Sequence, residues 1–369
     1  MSHMTTDVAS LAAGVLGGGF MAEVHSRAVR AARGTLAAVT SSSASSTREA
    51  AARLGAGRPF TSPDELVADD GVDVVHVCTP NATHRELALA ALRAGKHVVC
   101  EKPLATTPAD ALELAEEARA ADVVATVPFV YRYHPMVREA RARLASGELG
   151  TILSLQGSYT QDWLLDATED NWRVDPALGG SSRAFADIGS HLVDLVEFVA
   201  ATRITRLAAL TRTVHPERGG EPVATEDLAG VLAVTEDDVV VSLFVSQVAA
   251  GRKNRLAFEI SGTRAAVAFD QESPEVLWLG RRPGSLELVR DPVQLGPEAT
   301  RLSVVPAGHP MGYQDAFNAF VADTYAAIGG ARPEGLPTFE DGARAALVTD
   351  AVVRSAAADG AWVEVGGAP

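Results

Sequence analysis

The stretch His97-Val98-Val99-Cys100-Glu101-Lys102-Pro103 decides how this chain is read. A short run of strand formers stops at a charged pair and a proline, which places Lys102 at a strand's carboxyl end. Ligands bind at that edge in open parallel sheets, and the proline's restricted φ would hold the lysine there, so Lys102 is a candidate for chemistry. The plainer alternative is a surface lysine beside its neighbouring glutamate.

Upstream, an apolar run at 11–16 ends in Gly17-Gly18-Gly19, and an amphipathic helical pattern follows at 20–33. The spacing Gly17-x-Gly19-x-x-Ala22 fits the dinucleotide fingerprint, in which small residues let the backbone and a helix N-terminus, opened here by Phe20 and Met21, approach a pyrophosphate. A tight turn before a helix is the alternative. A strand at 35–40, helices near 47–54 and 63–68, a buried strand at 74–79 and a helix at 83–94 closed by Gly95 lead into the key strand at 97–101. A helix at 108–120 and a strand at 123–127 follow. Strands rich in Val that alternate with helices predict a parallel sheet covered on both faces, a Rossmann domain over residues 1–135.

Beyond that point the rhythm changes. A helix is expected at 136–145, with Gly147 and Gly150 in the turn after it. The segments 228–234 and 239–248 flank Glu236-Asp237-Asp238 as one hairpin, and 255–261 with 265–269 flank Gly262-Thr263 as another. Residues 136–369 are therefore expected to form an α+β domain with an open, mainly antiparallel sheet, helices on one face, and helical patterns at 313–328 and 339–358. Both alternating sets of side chains in 239–248 contain valine or leucine, which favours a subunit interface over water on the second face.

With 47% hydrophobic and 21% charged residues, the 369-residue chain reads as an ordinary soluble protein long enough for two domains. A net charge of −15 without any basic stripe argues against nucleic acid. No apolar run approaches a membrane span and no secretory leader is visible, so a cytoplasmic protein is expected. Met1-Ser2-His3-Met4 reads as an expression remnant. The two cysteines, Cys78 and Cys100, lie in strand-like runs, and neither a disulfide nor a metal site is expected.

In the second half, Gly179-Gly180 leads into a helical segment where Asp187, His191 and Asp194 share a face beside the apolar stripe Ile188, Leu192, Leu195, Val196 and Val199. An imidazole near neutrality beside a carboxylate suits proton exchange with a hydroxyl; a polar face meeting water is the alternative. Gln161-Asp162-Trp163 and Asn171-Trp172-Arg173 set two indoles among hydrogen-bonding side chains, the mixture that sugars and cyclitols need, although both tryptophans could equally be core or interface fillers.

Taken together, Gly17-Gly18-Gly19, Thr79-Pro80-Asn81 with His84, Glu101-Lys102-Pro103, and Asp187-x-x-x-His191 after Gly179-Gly180 resemble the glucose-fructose oxidoreductase and inositol dehydrogenase family, Gfo/Idh/MocA, over nearly the whole chain. The resemblance implies NAD or NADP and usually dimers or tetramers built on the open sheet. It also implies that Lys102 and His191 are catalytic with Asp187 as the histidine's neighbour, and that Thr79, Pro80, Asn81, His84 and Glu101 line the nicotinamide half of the cofactor. Arg132 matches a family arginine, in surroundings that differ from the usual ones. The expected function is hydride transfer between a nicotinamide and a secondary hydroxyl or ketone of a sugar, glycoside or cyclitol. Lys102, Asp187 and His191 are expected to contact that substrate together with Trp163, Trp172 and Arg173. A redox-assisted glycosidase and a silent ligand sensor remain as alternatives. The place where NAD-specific domains carry an acid is Thr40-Ser41-Ser42-Ser43 here, with Arg48 opening the next helix, so NADP is expected ahead of NAD through Ser41, Ser42 and Arg48.

Overall fold

The computed structural model describes residues 11–169 and 171–366; the stretch 1–4, read above as an expression remnant, lies outside the described residues. The chain packs as two units. One takes residues up to Ala105, Ala109–Val130 and Gln314–Ala343, and the other takes Thr106–Pro108, Tyr131–Tyr313 and the chain from Arg344 onward. The first unit is not contiguous in the chain, because a late helix returns to it.

The first unit runs β1 (Ala12–Leu16), α1 (Phe20–Ala31), β2 (Thr35–Thr40), α2 (Ala44–Leu54), β3 (Arg58–Pro59), α3 (Pro63–Val67), β4 (Val74–Val77), α4 (His84–Arg93), β5 (His97–Cys100), α5 (Pro108–Ala120) and β6 (Ala125–Thr126). Its sheet has the order β3-β2-β1-β4-β5-β6. Every pairing is parallel, with Leu16 beside Val77 and Val77 beside Cys100. The central strands are largely apolar because helices cover both faces, with His76 of β4 as a buried polar exception; Val15, Ala22, Leu36, Val39, Ala50 and Leu54 form one such buried layer. Strand order reverses between β1 and β4, so the carboxyl ends of β1, β4 and β5 form the edge where this architecture opens a crevice.

The second unit contains α6 (Pro135–Ala145), β7 (Ile152–Thr160), α7 (Pro176–Gly179), a π-turn (Phe185–Gly189) that runs into α8 (Ser190–Ala200), β8 (Ile204–Arg212), and a small hairpin of β9 (Glu217–Arg218) and β10 (Glu221–Pro222). Then come β11 (Leu228–Thr235), β12 (Val240–Ser246), β13 (Arg255–Gly262), β14 (Ala266–Asp270), β15 (Val276–Gly280), β16 (Leu286–Val289) and α9 (Pro297–Leu302). The chain ends with α10 (Tyr313–Ile328), α11 (Phe339–Ala357) and β17 (Val363–Glu364). The large sheet has the order β16-β15-β14-β13-β7-β12-β11-β8-β17. Both expected hairpins are present, and only β7 and β12 pair in parallel among these strands.

One face of this sheet carries α8. Gly157 makes the approach possible, since a Cβ there would lie 2.9 Å from Leu192 Cδ1 and 3.1 Å from Leu243 Cδ2. Leu192, Leu195, Val196 and Val199 are buried, and burying each such side chain contributes about 1.5–3 kcal/mol. On the other face, Leu210, Leu232, Val240 and Phe244 stand exposed in the single chain. α10 belongs to the first unit: Gln314 Nε2 donates to the Val24 carbonyl at 3.2 Å, and Thr324 meets Thr126 at 3.2 Å.

Candidate active site

In the first unit the residues singled out in the sequence gather at the carboxyl ends of β1, β4 and β5. Gly17 has φ +116°, and a Cβ there would lie 2.5 Å from the Cys78 carbonyl oxygen, so the turn can pass this close to the end of β4 only as glycine. No atom lies within 4 Å of where a Cβ on Gly19 would stand, and no side chain caps α1. The amino end of a 12-residue helix, with Phe20 exposed and Met21 half-buried, thus faces open space, which fits a dinucleotide pyrophosphate.

The serine loop after β2 is partly committed to local structure. Ser43 and Ser46 form a reciprocal capping box on α2, with Ser46 N–H donating to Ser43 Oγ at 3.1 Å and Ser43 N–H to Ser46 Oγ at 3.0 Å. Ser41 packs against Gly18 and donates its backbone N–H to Thr47 Oγ1, while Ser42 and Arg48 are exposed. Sequence reasoning overlooked Arg53. Its guanidinium reaches the Gly18 carbonyl and Glu23, so the first cation at the glycine turn comes from the far end of α2.

Thr79, Pro80 and the buried Asn81 follow β4. His84 ties this segment to the loop after β5: Nδ1 lies 2.8 Å from the Pro103 carbonyl and Nε2 2.9 Å from the Thr79 carbonyl. Burial pushes its imidazole below the ordinary range, against the pull of the two carbonyls and of Glu101. Glu101 is turned inward. Its Oε1 lies 2.9 Å from His25 Nε2, and its Oε2 accepts the Lys102 backbone N–H at 3.2 Å. Burial pushes this carboxyl up, but the hydrogen bond from His25 and the positive charge of the adjoining Lys102 outweigh it and hold it below the usual carboxylate range. Thus His84 and Glu101 spend their side chains on fixing the loops around Lys102.

In the second unit the π-turn sets the start of α8, and such a turn shifts the side chains after it relative to an α-helical register. His191 is buried, with its ring edge-to-face on Tyr131 at 5.1 Å and tilted on Tyr159 at 6.3 Å. Asp187 Oδ2 accepts from Gln247 Nε2 at 2.9 Å, and Oδ1 lies 3.4 Å from Arg173 Nε. The Arg173 guanidinium stacks over Trp172 at 4.4 Å. Asp194, expected on the same face, faces a different partner: Arg132 Nε donates to its Oδ2 at 2.8 Å, a second guanidinium nitrogen reaches Oδ1, and the plane lies over Phe198. This buried pair accounts for the charge of Arg132 within the protein itself.

Tyr131, Tyr159 and Asn254 close a hydrogen-bonded ring against His191. Asn254 Nδ2 donates to the Tyr131 hydroxyl at 3.1 Å, and Tyr159 gives its proton to Asn254 Oδ1 at 2.6 Å. Tyr131 must then be the donor to Tyr159 across 2.5 Å. Burial pushes both phenols up, so they stay protonated. Gln161 joins the ring through Asn254 Oδ1 at 2.8 Å, and Trp163 Nε1 donates to Gln161 Oε1 at 2.8 Å. Trp163 therefore connects to His191 through the amides and tyrosines, and Trp172 to Asp187 through Arg173. Behind the cluster, Glu226 accepts from Ser182 and from the backbone of Arg183 and Phe185, while Arg218 holds the Leu164, Asp166 and Glu169 carbonyls of the Trp163 loop. Among the described residues no group of three or more His, Cys, Asp or Glu side chains is placed to hold a metal ion, and no helix is long and apolar enough to cross a membrane.

A glycine turn under an open helix end at the switch point of a parallel sheet, with a lysine at the end of the strand two places along, is the arrangement of a dinucleotide-binding domain. The dehydrogenases and reductases among the relatives make the class a nicotinamide-dependent oxidoreductase acting on CH–OH groups. Residues 11–129 match the model of the GFO_IDH_MocA oxidoreductase family with an NAD-binding Rossmann fold, and residues 137–268 match the GFO/IDH/MocA C-terminal domain. Levoglucosan dehydrogenase of Pseudarthrobacter phenanthrenivorans is 31% identical over 96% of this chain and 98% of its own. The structure of a levoglucosan dehydrogenase in complex with NADH and levoglucosan superimposes with a TM-score of 0.91, at 30% identity over 97% of this chain and 100% of that one. An inositol dehydrogenase homolog complexed with NAD+ from Azotobacter vinelandii gives 0.89, at 30% identity over 96% and 97%. The chain belongs to the Gfo/Idh/MocA oxidoreductase family.

Proposed function

We propose that this enzyme oxidises a secondary hydroxyl of a sugar, glycoside or cyclitol, or reduces the matching ketone, with His191 as the acid–base group and Lys102 as the cation that stabilises the developing alkoxide. The observation that carries this reading is the setting of His191. Its imidazole packs on two tyrosine rings whose hydroxyl protons are committed to each other and to Asn254. The same hydrogen-bonded chain runs through the amides of Asn254 and Gln161, each with a second N–H to donate, to an indole, a lining that offers polyols amide donors and a flat apolar surface. Names among the relatives, levoglucosan dehydrogenase and inositol 2-dehydrogenase, support the substrate class.

The bound nicotinamide supplies the hydride acceptor at C4. The glycine turn and the amino end of α1 hold the pyrophosphate, and Thr79, Pro80 and Asn81 line the nicotinamide half. His191 takes the hydroxyl proton as hydride leaves, and returns it in the reductive direction. Asp187, oriented by Gln247 and Arg173, favours the imidazolium that forms.

We further propose NADP ahead of NAD, on the absence of any carboxylate from Thr40 to Thr47 and on the Ser41 and Ser42 hydroxyls left outside the α2 capping box. The NADH and NAD+ in the two similar structures weigh the other way. The enzyme is proposed to be a cytoplasmic homodimer or homotetramer whose subunits meet on the exposed sheet face. A panel of polyols and glycosides of varied stereochemistry, with each cofactor and read at the nicotinamide absorbance, tests the function. Reduction of the cofactor by at least one polyol is expected; glycoside hydrolysis without net reduction, or no turnover at all, contradicts the reading.

A further inference from the structure

Behind Glu101 lies a chain of buried titratable groups that the mechanism does not use. His25 Nδ1 lies 2.8 Å from His76 Nδ1, and His76 Nε2 lies 3.0 Å from the Tyr325 hydroxyl, while His25 Nε2 meets Glu101 as described. Both imidazoles are fully buried, and Tyr325 is nearly so. The four residues come from α1, β4, the end of β5 and α10, so the helix that returns to the first unit closes the chain.

With Glu101 ionised and His76 neutral, two proton arrangements satisfy all three hydrogen bonds. In the first, Tyr325 donates to His76 Nε2, His76 Nδ1–H to His25 Nδ1, and His25 Nε2–H to Glu101. The second holds one more proton: His25 is an imidazolium that donates to both Glu101 and His76 Nδ1, and His76 donates from Nε2 to the Tyr325 oxygen. Uptake of one proton converts one into the other. The Tyr325 proton passes to His76 Nε2, that of His76 Nδ1 passes to His25 Nδ1, and the proton taken up ends on the phenol oxygen. No hydrogen bond among the four is lost, and the net charge of the chain changes from −1 to 0.

We propose that His25, His76 and Tyr325 are positioning residues that form a one-proton relay behind Glu101 and thereby set how much negative charge stands beside Lys102. The proposal rests on the reading of Lys102 as the cationic catalytic group. The extra charge is placed on His25 because that ring meets the Glu101 carboxylate at 2.9 Å, and burial with the neighbouring His25 pushes His76 well below the ordinary imidazole range. The other titratable groups around the relay are Lys102, His84, Cys78 and Cys100 about Glu101, and Asp73 about Tyr325. Burial pushes both thiols up, which keeps them neutral, so His84 and Asp73 are the remaining sources of charge besides Lys102.

The test is a pH titration of the full-length protein carrying 15N-labelled histidine, with the two rings assigned by single replacement. His76 is expected to exchange its ring proton from Nδ1 to Nε2 at the same midpoint at which His25 gains charge, and Glu101→Gln is expected to abolish that exchange. A His76 that keeps one tautomer across the whole range in which the protein stays folded overturns the relay, as does an unchanged midpoint in Glu101→Gln. With any substrate that is turned over, kcat/KM should show a step at the same midpoint, absent in Glu101→Gln. The spectra need no substrate, so lack of turnover would count against the catalytic role of Lys102 and leave the relay standing.

Discussion

His191 and Lys102 were visible in the sequence because each sits in a short motif whose local chemistry is unusual: a histidine four residues after an aspartate, and a lysine between a glutamate and a proline at a strand end. Tyr131, Tyr159 and Asn254 were not identified as a set, because what unites them is sheet register. β7 and β13 pair with Tyr159 beside Leu256, which brings Asn254 and Tyr159 to one end of the sheet from 95 positions apart in the chain. His25 and His76 were missed because a helix packing on the sheet brings them together, each reading singly as an ordinary core residue. A stability prediction belongs at this scale. His134 is stacked on Tyr131 at 5.9 Å, and burial lowers its pKa from 6.5 to about 4. The folded chain therefore refuses a proton that the unfolded chain binds. Stability is complete above the unfolded value near 6.5 and is lost as pH falls toward about 4. In His134→Phe, urea unfolding should show a pH dependence shallower by about 1.4 kcal/mol per pH unit in that window, one proton's worth. An unchanged slope would assign the acid sensitivity elsewhere.

At the scale of elements, the parallel half was legible nearly strand by strand, because buried Val runs, a glycine turn and helix caps each announce themselves locally. In the second half the two hairpins were legible from their turns. β7 was not, since its neighbours β12 and β13 lie some 80 and more residues further along, and nothing local marks a parallel pairing. The π-turn was also hidden: Asp187, His191 and Asp194 were expected on one face, yet Asp194 is drawn to Arg132. The loop between β2 and α2 carries the cofactor prediction. Ser43 and Ser46 serve the capping box, which leaves Ser41, packed on Gly18, as the position where charge would meet a 2′-phosphate. Ser41→Asp should lower kcat/KM for NADP relative to NAD by an amount on the order of 1–3 kcal/mol. An unmodified enzyme that already strongly prefers NAD would contradict the serine reading.

For the whole molecule, alternating strands and helices pointed to two architectures in one chain, but not to the return of α10 to the first unit, because an amphipathic helix does not say which sheet it will cover. The same ambiguity in 239–248 proved informative: Val241, Leu243 and Val245 are buried, while Val240 and Phe244 on the opposite side are exposed. With Leu210 and Leu232 beside them, a second copy on that face would remove the apolar surface from water. The unmodified protein should sediment as a dimer or tetramer at micromolar concentration, and Phe244→Lys should dissociate it; a monomeric unmodified protein would exclude this assembly. The central claim, that His191 and Lys102 carry the hydride-transfer chemistry, is tested most directly by kcat in His191→Ala and Lys102→Ala alongside cofactor affinity from nicotinamide fluorescence. Each variant should lose at least ~10²-fold in kcat while still binding the cofactor; near-normal kcat in both would contradict the account.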